Sequence, residues 1–138
     1  MPEPLRQREP AIKDRAYLGW IARLPCVACL AEGHGLRYGV HVAHLRVSSL
    51  EYGKRHCGKG EKPSDRPWTL PLCPPHHMND RQAQHNVGEE VFYTRLQVNP
   101  FALCLALAEA QAASRSGIPV ITAHAGPERR AWRSDLFP

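Results

Sequence analysis

Long apolar runs are missing from this sequence of 138 residues. No stretch approaches the roughly 20 apolar residues that a membrane-spanning helix needs, so we expect neither a transmembrane segment nor a membrane partner. The opening residues, MPEPLRQREP, also lack the apolar core of a secretory signal, and we expect the protein to act in the cytoplasm. The five cysteines are odd in number, which without such a signal argues against a disulfide framework.

Negative charge and lysine are both scarce. Asp and Glu together number 13 against 18 Lys and Arg, the formal net charge is +5, and only four of the basic residues are Lys. A basic balance favours a polyanionic partner, and the planar guanidinium of arginine suits phosphate. The hydrophobic share of 43% is enough for one domain with a modest core.

Local patterns predict an α+β domain over residues 11–116, with a flexible arm over 1–10 and a tail over 117–138. The predicted helices cover 11–24, a segment from 74 that breaks before His85, 88–97 and 100–115, and the predicted strands cover 38–47 and 68–73. We interpret 25–35 as a tight turn, 48–67 as a long polar loop, and Gly117 as the C-cap of the last helix.

Two short motifs have the spacing of zinc ligands. Cys26-x-x-Cys29 forms one half of a site, and Cys73-x-x-His76 forms the other. Three thiolates and one imidazole suit a closed, tetrahedral structural Zn²⁺. Two alternatives stay open: the cysteines are unrelated reduced thiols, or the neighbouring His77 replaces His76 as the ligand. A redox role for the first motif is disfavoured because no thioredoxin-like βαβ pattern surrounds it.

The two remaining cysteines have weaker signals. Cys57 lies in the glycine-rich loop without a paired ligand, and we interpret it as a free thiol that has a minor chance of entering the zinc site. Cys104 lies on the apolar face of the last predicted helix, where a small buried hydrophobic residue is expected.

A second group of histidines, His41, His44, His77 and His85, is left after that assignment. The order strand, loop, strand, helix lets a histidine on the first strand face one on the helix. Hydrolysis of a phosphodiester needs an activated water and positive charge at the phosphate, which a neutral histidine and a divalent ion can supply. A strand histidine bonded to backbone is the alternative for His44, and a solvent-facing histidine is the alternative for His41.

The linked motifs resemble those of HNH endonucleases of the ββα-metal type. They are Cys-x-x-Cys, Ala43-His44-Leu45-Arg46, Gly60-Glu61-Lys62-Pro63-Ser64-Asp65, Leu70-Pro71-Leu72-Cys73-x-x-His76-His77 and Gln84-His85. Over residues 11–108 the sequence is most similar to phage-encoded, Ref-like HNH proteins. That resemblance implies a small ββα-metal core with the zinc pair, flanked by N- and C-terminal helices. It also implies a phage or prophage origin, action in a bacterial host, and work on DNA with a RecA-type recombinase filament.

The resemblance also implies residue roles. His44 would be the general base that activates water, while His77 and His85 would bind a catalytic Mg²⁺ or another divalent cation. The sequence departs from the wider HNH pattern at Ala43, where an acidic ligand often precedes the base, and at Trp68-Thr69, where no middle Asn is evident. A missing metal ligand would then come from His41 or Asp65, although Asp65 also suits a turn before the second strand.

Basic residues concentrate in and around the polar loop. Contacts between these side chains and a DNA backbone would be independent of sequence and sensitive to salt, whereas the alternative is a solvated loop. The candidates are Arg46, Lys54, Arg55, Lys59, Lys62 and Arg66.

Together these features predict a metal-dependent DNA endonuclease. The alternative is a zinc-stabilised DNA-binding module without hydrolytic activity, which would not need the additional histidines near the strand–helix junction. A protein-interaction adaptor built on the helix at 100–115 is a weaker alternative, because that helix is more simply core.

Overall fold

A computed structural model describes residues 11–55, 57 and 62–130. The fold is α+β, with helices packed around one two-stranded antiparallel sheet. In chain order the elements are α1 (Arg15–Ala22), α2 (Val27–Ala31), β1 (His41–His44), β2 (Thr69–Leu72), a single π-helical turn (Pro75–Asn79), α3 (Gln84–Val87), α4 (Glu89–Leu96), α5 (Pro100–Ala112) and α6 (Ile118–Ala125).

The sheet places the first-strand histidines in register with the buried second strand. His41 pairs with Leu72, and His44 pairs with Thr69. All four residues of β2 are buried, whereas in β1 only Ala43 is buried. Because a two-stranded sheet is marginal by itself, its stability comes from packing, and α1, α2 and α5 supply that packing against β2.

Helices α1 and α5 begin where their caps dictate. Asp14 accepts a hydrogen bond from the backbone N–H of Tyr17, so α1 begins at Arg15 and not at residue 11. Asn99 caps α5 in the same way, with Pro100 at the first position. Helix α5 is apolar on most of its circumference, as expected for a helix at the centre of a core. Its buried residues include Phe101, Leu103, Cys104 and Leu107.

The prediction of a patternless tail from residue 117 is wrong for its first part. Residues Ile118–Ala125 form α6, whose Ile121 and Ala125 are fully buried, and α6 packs on α2 and α5. The predicted cap at Gly117 is also wrong, since α5 ends at Ala112 and Gly117 directly precedes α6. Eight residues are too few to show a clear helical period beside a long apolar helix.

Arg129 ties the ends of three helices together. Its guanidinium donates hydrogen bonds to backbone carbonyls at the C-terminal ends of α2, α4 and α6. Carbonyls at helix ends lack a partner within their own helix and carry the negative end of the helix dipole, so a partly buried cation there stabilises all three helices. The acceptors are Ala31, Leu96, Gln97, Ala125 and Gly126.

Three other local predictions are refined. The predicted turn at 25–35 contains the short helix α2. The helix predicted from residue 74 is divided into the π-helical turn and α3, with extended backbone at Asp80, and the predicted break before His85 falls just before α3 begins. The predicted loop at 48–67 contains an isolated β-bridge between Ser49 and Lys54.

Within the described residues, no single helix has the length and apolar character needed to cross a membrane. Helices α4 and α5 meet that test of length and composition only as a pair, and they are bent by 82° at the break between them.

Candidate metal centre and histidine cleft

Three thiols and one imidazole converge between α2 and the end of β2. Cys26 caps α2 and Cys29 lies in its first turn, so the two thiols point to the same side of the helix start. Cys73 follows β2, and His76 lies in the π-helical turn. The four ligand atoms all lie within 4.8 Å of one another, and the group could hold a metal ion such as zinc.

The spacing of these atoms matches a tetrahedral site. A Zn–S distance of roughly 2.3 Å places two sulfurs of a tetrahedron about 3.8 Å apart. The Sγ atoms of Cys29 and Cys73 are 3.7 Å apart, and Nδ1 of His76 lies 3.5 Å from Sγ of Cys29 and 3.7 Å from Sγ of Cys26. Cys57 and Cys104, both free thiols, are not members of the group.

Glu32 orients the imidazole of the cluster. Its Oε1 lies 2.5 Å from Nε2 of His76, so the carboxylate accepts the Nε2 proton and leaves the lone pair of Nδ1 directed at the thiols. Nδ1 of His77, in contrast, lies 3.1 Å from Nδ1 of His41. The fold thus places His76, and not His77, with the cysteines. Glu32 was not found from the sequence, although its position three residues after Cys29 was a signal.

Burial and neighbouring groups shift the pKa values of the three thiols in the cluster. Burial raises the pKa of Cys26, although hydrogen bonds from the backbone of Cys73 and Cys29 act in the opposite direction, and burial together with the Cys26 thiol raises the pKa of Cys29 far above its usual value. At Cys73 burial also acts to raise the pKa, but hydrogen bonds from His76 outweigh it and hold the pKa below its usual value. A metal cation would reverse the first two shifts by stabilising the thiolates.

A second feature is an open cleft of about 440 Å³ beside strand β1. It brings together three of the four histidines in the second sequence group, His44, His77 and His85. The basic side chains of Arg46 and Lys62 line the same cleft. His44 and His85, which are 41 positions apart in sequence, thereby share one surface.

His77 is the cleft histidine whose pKa is shifted by its surroundings. Burial lowers its pKa, and the neighbouring His41, His85 and His44 lower it further, so its imidazole stays neutral near pH 7. A neutral imidazole is the form that ligates a metal ion. His41 meets His77 edge to face, with ring centroids 5.3 Å apart, and lies beside the cleft.

Asp65 lies with His44 and not with the other histidines. Its Oδ1 is 2.8 Å from Nε2 of His44, and its Oδ2 accepts the backbone N–H of Asp14 at 2.9 Å. Burial acts to raise the pKa of Asp65, but the hydrogen bonds from His44 and Asp14 outweigh it and hold the pKa below its usual value. Both oxygens of Asp65 are thus engaged with His44 and the start of α1, and its role as a metal ligand stays a prediction.

The second predicted metal site is not gathered as closely as the first. Within the part of the chain that the structure describes, the Cys26–His76 group is the one set of three or more ligand side chains whose donor atoms lie within 4.8 Å of each other. His77 and His85 share the cleft, and His41 contacts His77. The three do not form a closed cage.

The predicted DNA-binding residues divide into two kinds. Lys54 is buried with its ammonium 5.6 Å from the ring centre of Trp68, and Arg66 bonds Gln111 and the Ala108 carbonyl of α5. Both side chains are engaged with other parts of the fold, and their role as DNA contacts stays a prediction.

The other basic candidates are placed differently. Arg46 and Lys62 line the cleft, and Arg55 is exposed. Lys59 lies outside the described residues.

Glu89 was missed by the sequence analysis. Its carboxylate accepts the backbone N–H groups of Arg46 and Val47, just after β1, and the residue lines the cleft. Burial raises its pKa, although those two hydrogen bonds act in the opposite direction. A glutamate in the first turn of α4 is an ordinary helix-start signal, and only the packing shows that it fixes the strand end beside His44.

No model of a known protein family, no curated protein and no solved structure matches this chain.

Proposed function

We propose that the protein is a metal-dependent DNA endonuclease of the HNH type. The observation that carries this proposal is the cleft that combines three imidazoles, of His44, His77 and His85, with the cationic side chains of Arg46 and Lys62. A base, potential metal ligands and phosphate-binding cations are the components that phosphodiester hydrolysis needs. The basic charge of the chain agrees with a polyanionic substrate.

In the proposed reaction His44 removes a proton from a water molecule, and the water oxygen attacks the phosphorus. The P–O3′ bond breaks, and the leaving oxygen takes a proton from solvent. His77 and His85 offer imidazole nitrogens to the same cleft and fit a divalent cation as two of its ligands. When bound, such an ion would neutralise charge on the phosphate and on the leaving oxygen.

Arg46 and Lys62 have a separate role in this proposal. Both line the cleft, where a phosphate chain that approaches His44 would pass. Their charge would attract the DNA backbone without reading its sequence, which makes binding sensitive to salt.

The thiol cluster serves stability in this proposal. Zn²⁺ on Cys26, Cys29, Cys73 and His76 would have four protein ligands and no open position, so it would hold α2 to the end of β2 and do no chemistry. This keeps the π-helical turn in place, and with it His77.

A zinc-stabilised DNA-binding module without hydrolytic activity is the second candidate. The observation that favours it is the loose arrangement of His41, His77 and His85, with Asp65 engaged elsewhere. A RecA-type filament as a partner, and a phage origin, are further parts of the nuclease proposal that rest on the motif resemblance.

A cleavage assay on supercoiled plasmid distinguishes the endonuclease from the DNA-binding module. The purified protein is incubated with plasmid and Mg²⁺ or Mn²⁺, with and without a RecA-type filament, beside His44→Ala. His124→Gln is the matched control, since His124 lies on α6 away from the cleft. We expect nicking by the wild type and the control and none by a folded His44→Ala with full metal content. A plasmid that shifts on a gel under every condition but is never cut would favour the binding module.

A further inference from the structure

Asp65 is one of the most firmly held polar side chains beside the cleft. It is 9% exposed, its backbone N–H donates to the Ile12 carbonyl at 2.8 Å, and its own carbonyl accepts the Thr69 hydroxyl at 2.9 Å. Its carboxylate bridges two further groups, the His44 ring and the Asp14 backbone N–H. The backbone of Asp65 and the start of α1 together fix the direction in which the carboxylate points.

We infer that Asp65 is a positioning residue that selects the tautomer of His44, an inference that rests on the proposed function only for its catalytic consequence. An ionised carboxylate can only accept hydrogen bonds, so the 2.8 Å contact requires a proton on Nε2 of His44. The neutral ring then carries its lone pair on Nδ1. Asp65 therefore determines that Nδ1 is the nitrogen that accepts the proton of the attacking water.

The same contact fixes the orientation of the ring. His44 lies at the end of β1, opposite Thr69, and Thr69 itself donates to the Asp65 carbonyl. Strand pairing and the carboxylate thus hold the imidazole from two directions. A base held in one orientation and one tautomer is more effective than a free side chain, because less reorganisation precedes proton transfer.

The second oxygen of Asp65 makes a sharp test possible. Asp65→Asn has one carbonyl oxygen and one NH₂ group, and the backbone N–H of Asp14 can only donate. The amide oxygen must therefore face Asp14, which turns the NH₂ group toward Nε2 of His44. His44 must then accept at Nε2 and carry its proton on Nδ1. The substitution keeps the size of the side chain and inverts the tautomer of the base.

The tautomer is read by NMR of the ¹⁵N-labelled imidazole at about pH 8.5, above the ordinary titration range of histidine. The His44 signal is assigned by its loss in His44→Ala. We expect the Nε2–H form in the wild type and the Nδ1–H form in Asp65→Asn. Ser64→Ala removes the neighbouring bond to the Ile12 backbone and leaves both oxygens of Asp65 engaged, so this control should keep the wild-type form.

The nuclease assay adds the catalytic consequence. Loss of a general base typically lowers the rate about 10²- to 10⁴-fold, and we expect Asp65→Asn to lose nicking in that range while Ser64→Ala does not. If the wild type does not nick, the proposed function fails, but the ring spectrum still decides the tautomer. A wild-type His44 with its proton on Nδ1, or a spectrum unchanged in Asp65→Asn, would overturn the inference. The wild-type spectrum is decisive even if the variant does not fold.

Discussion

Oε1 of Glu32 lies 2.5 Å from Nε2 of His76, on the side of the ring opposite the three thiols. This contact distinguishes His76 from the adjacent His77 and gives it the tautomer that a metal ligand in the cluster would need. It also joins the end of α2 to the π-helical turn, which is the turn that carries His77 into the cleft. The structural cluster and the proposed active site are therefore mechanically connected through two consecutive residues.

Glu32→Gln should weaken metal binding without abolishing it. The amide is a poorer acceptor for the Nε2 proton, and loss of such outer partners typically lowers metal affinity about 10- to 100-fold. Competition with a chromophoric chelator measures the change. Glu109→Gln is the matched control, because Glu109 is an exposed acid on α5 that pairs with Arg115 at 3.8 Å. Equal affinity in Glu32→Gln and wild type would contradict the role of Glu32.

Removal of the metal should abolish cooperative unfolding. Structural zinc sites contribute directly to folding free energy in small domains, so Cys73→Ser or treatment with a strong chelator should leave no sharp thermal transition. Cys57→Ser removes a thiol outside the cluster and should change the free energy of unfolding by less than about 0.5 kcal/mol. Elemental analysis should give one zinc per chain for the wild type and this control. A folded Cys73→Ser with a normal melt would show that the site is dispensable.

Substitution of two predicted DNA-contact residues, Lys62 and Arg66, should affect different properties of the protein. Lys62→Ala should reduce the slope of log affinity for DNA against log salt by about 1 and leave stability unchanged, because Lys62 is exposed on the cleft. Arg66→Ala should leave the slope unchanged and lower the free energy of unfolding by about 1–3 kcal/mol, because it loses its hydrogen bonds to α5 and its contact with the Tyr17 ring. Fluorescence anisotropy at several salt concentrations and chemical denaturation provide the two readouts. A lower stability in Lys62→Ala together with a smaller salt slope in Arg66→Ala would contradict these two roles.

Arg129→Ala should destabilise the fold by about 2–5 kcal/mol. The substitution leaves the carbonyls at three helix ends without their charged donor, and buried unsatisfied groups carry the largest penalties. Arg130→Ala removes the same charge from the adjacent exposed position and should change stability by less than about 0.5 kcal/mol. Urea denaturation measures the free energy of unfolding of the two variants. Similar free energies for both would show that the hydrogen bonds of Arg129 do not stabilise the fold.

His124 should make the fold less stable as the medium becomes acidic. Burial lowers the pKa of His124 in the folded protein, so the unfolded chain binds its proton more readily. The contribution is therefore complete above the unfolded pKa, near 6.5, and is lost as the pH falls toward the folded pKa. Denaturation at several pH values between about 7.5 and 5.5 should show a shallower fall for His124→Gln than for the wild type. The same dependence of stability on pH in His124→Gln and the wild type would contradict the predicted effect of His124.

Much of the local structure could be predicted because it depends on neighbours in sequence. Cys26 and Cys29 lie within one turn at the start of α2, so the Cys-x-x-Cys spacing alone predicted that both thiols face one site. The Ala/Leu-rich pattern predicted α5. The short helix α6 escaped because eight residues show little periodicity. Its stability comes from burial of Ile121 and Ala125 against other helices, which no local pattern reveals.

The sequence by itself determined the α+β class, the three thiols of the cluster with one of two adjacent histidines, and the set of histidines from which the cleft is built. Tertiary structure alone decided the partner of each side chain. His44 meets Asp65 from 21 residues away, and Lys54 and Arg66 point into the fold although they lie among exposed basic residues. The physical reason is that spacing fixes geometry only over a turn or two. Burial, hydrogen bonding and the role of a charged group depend on which distant segments pack beside it.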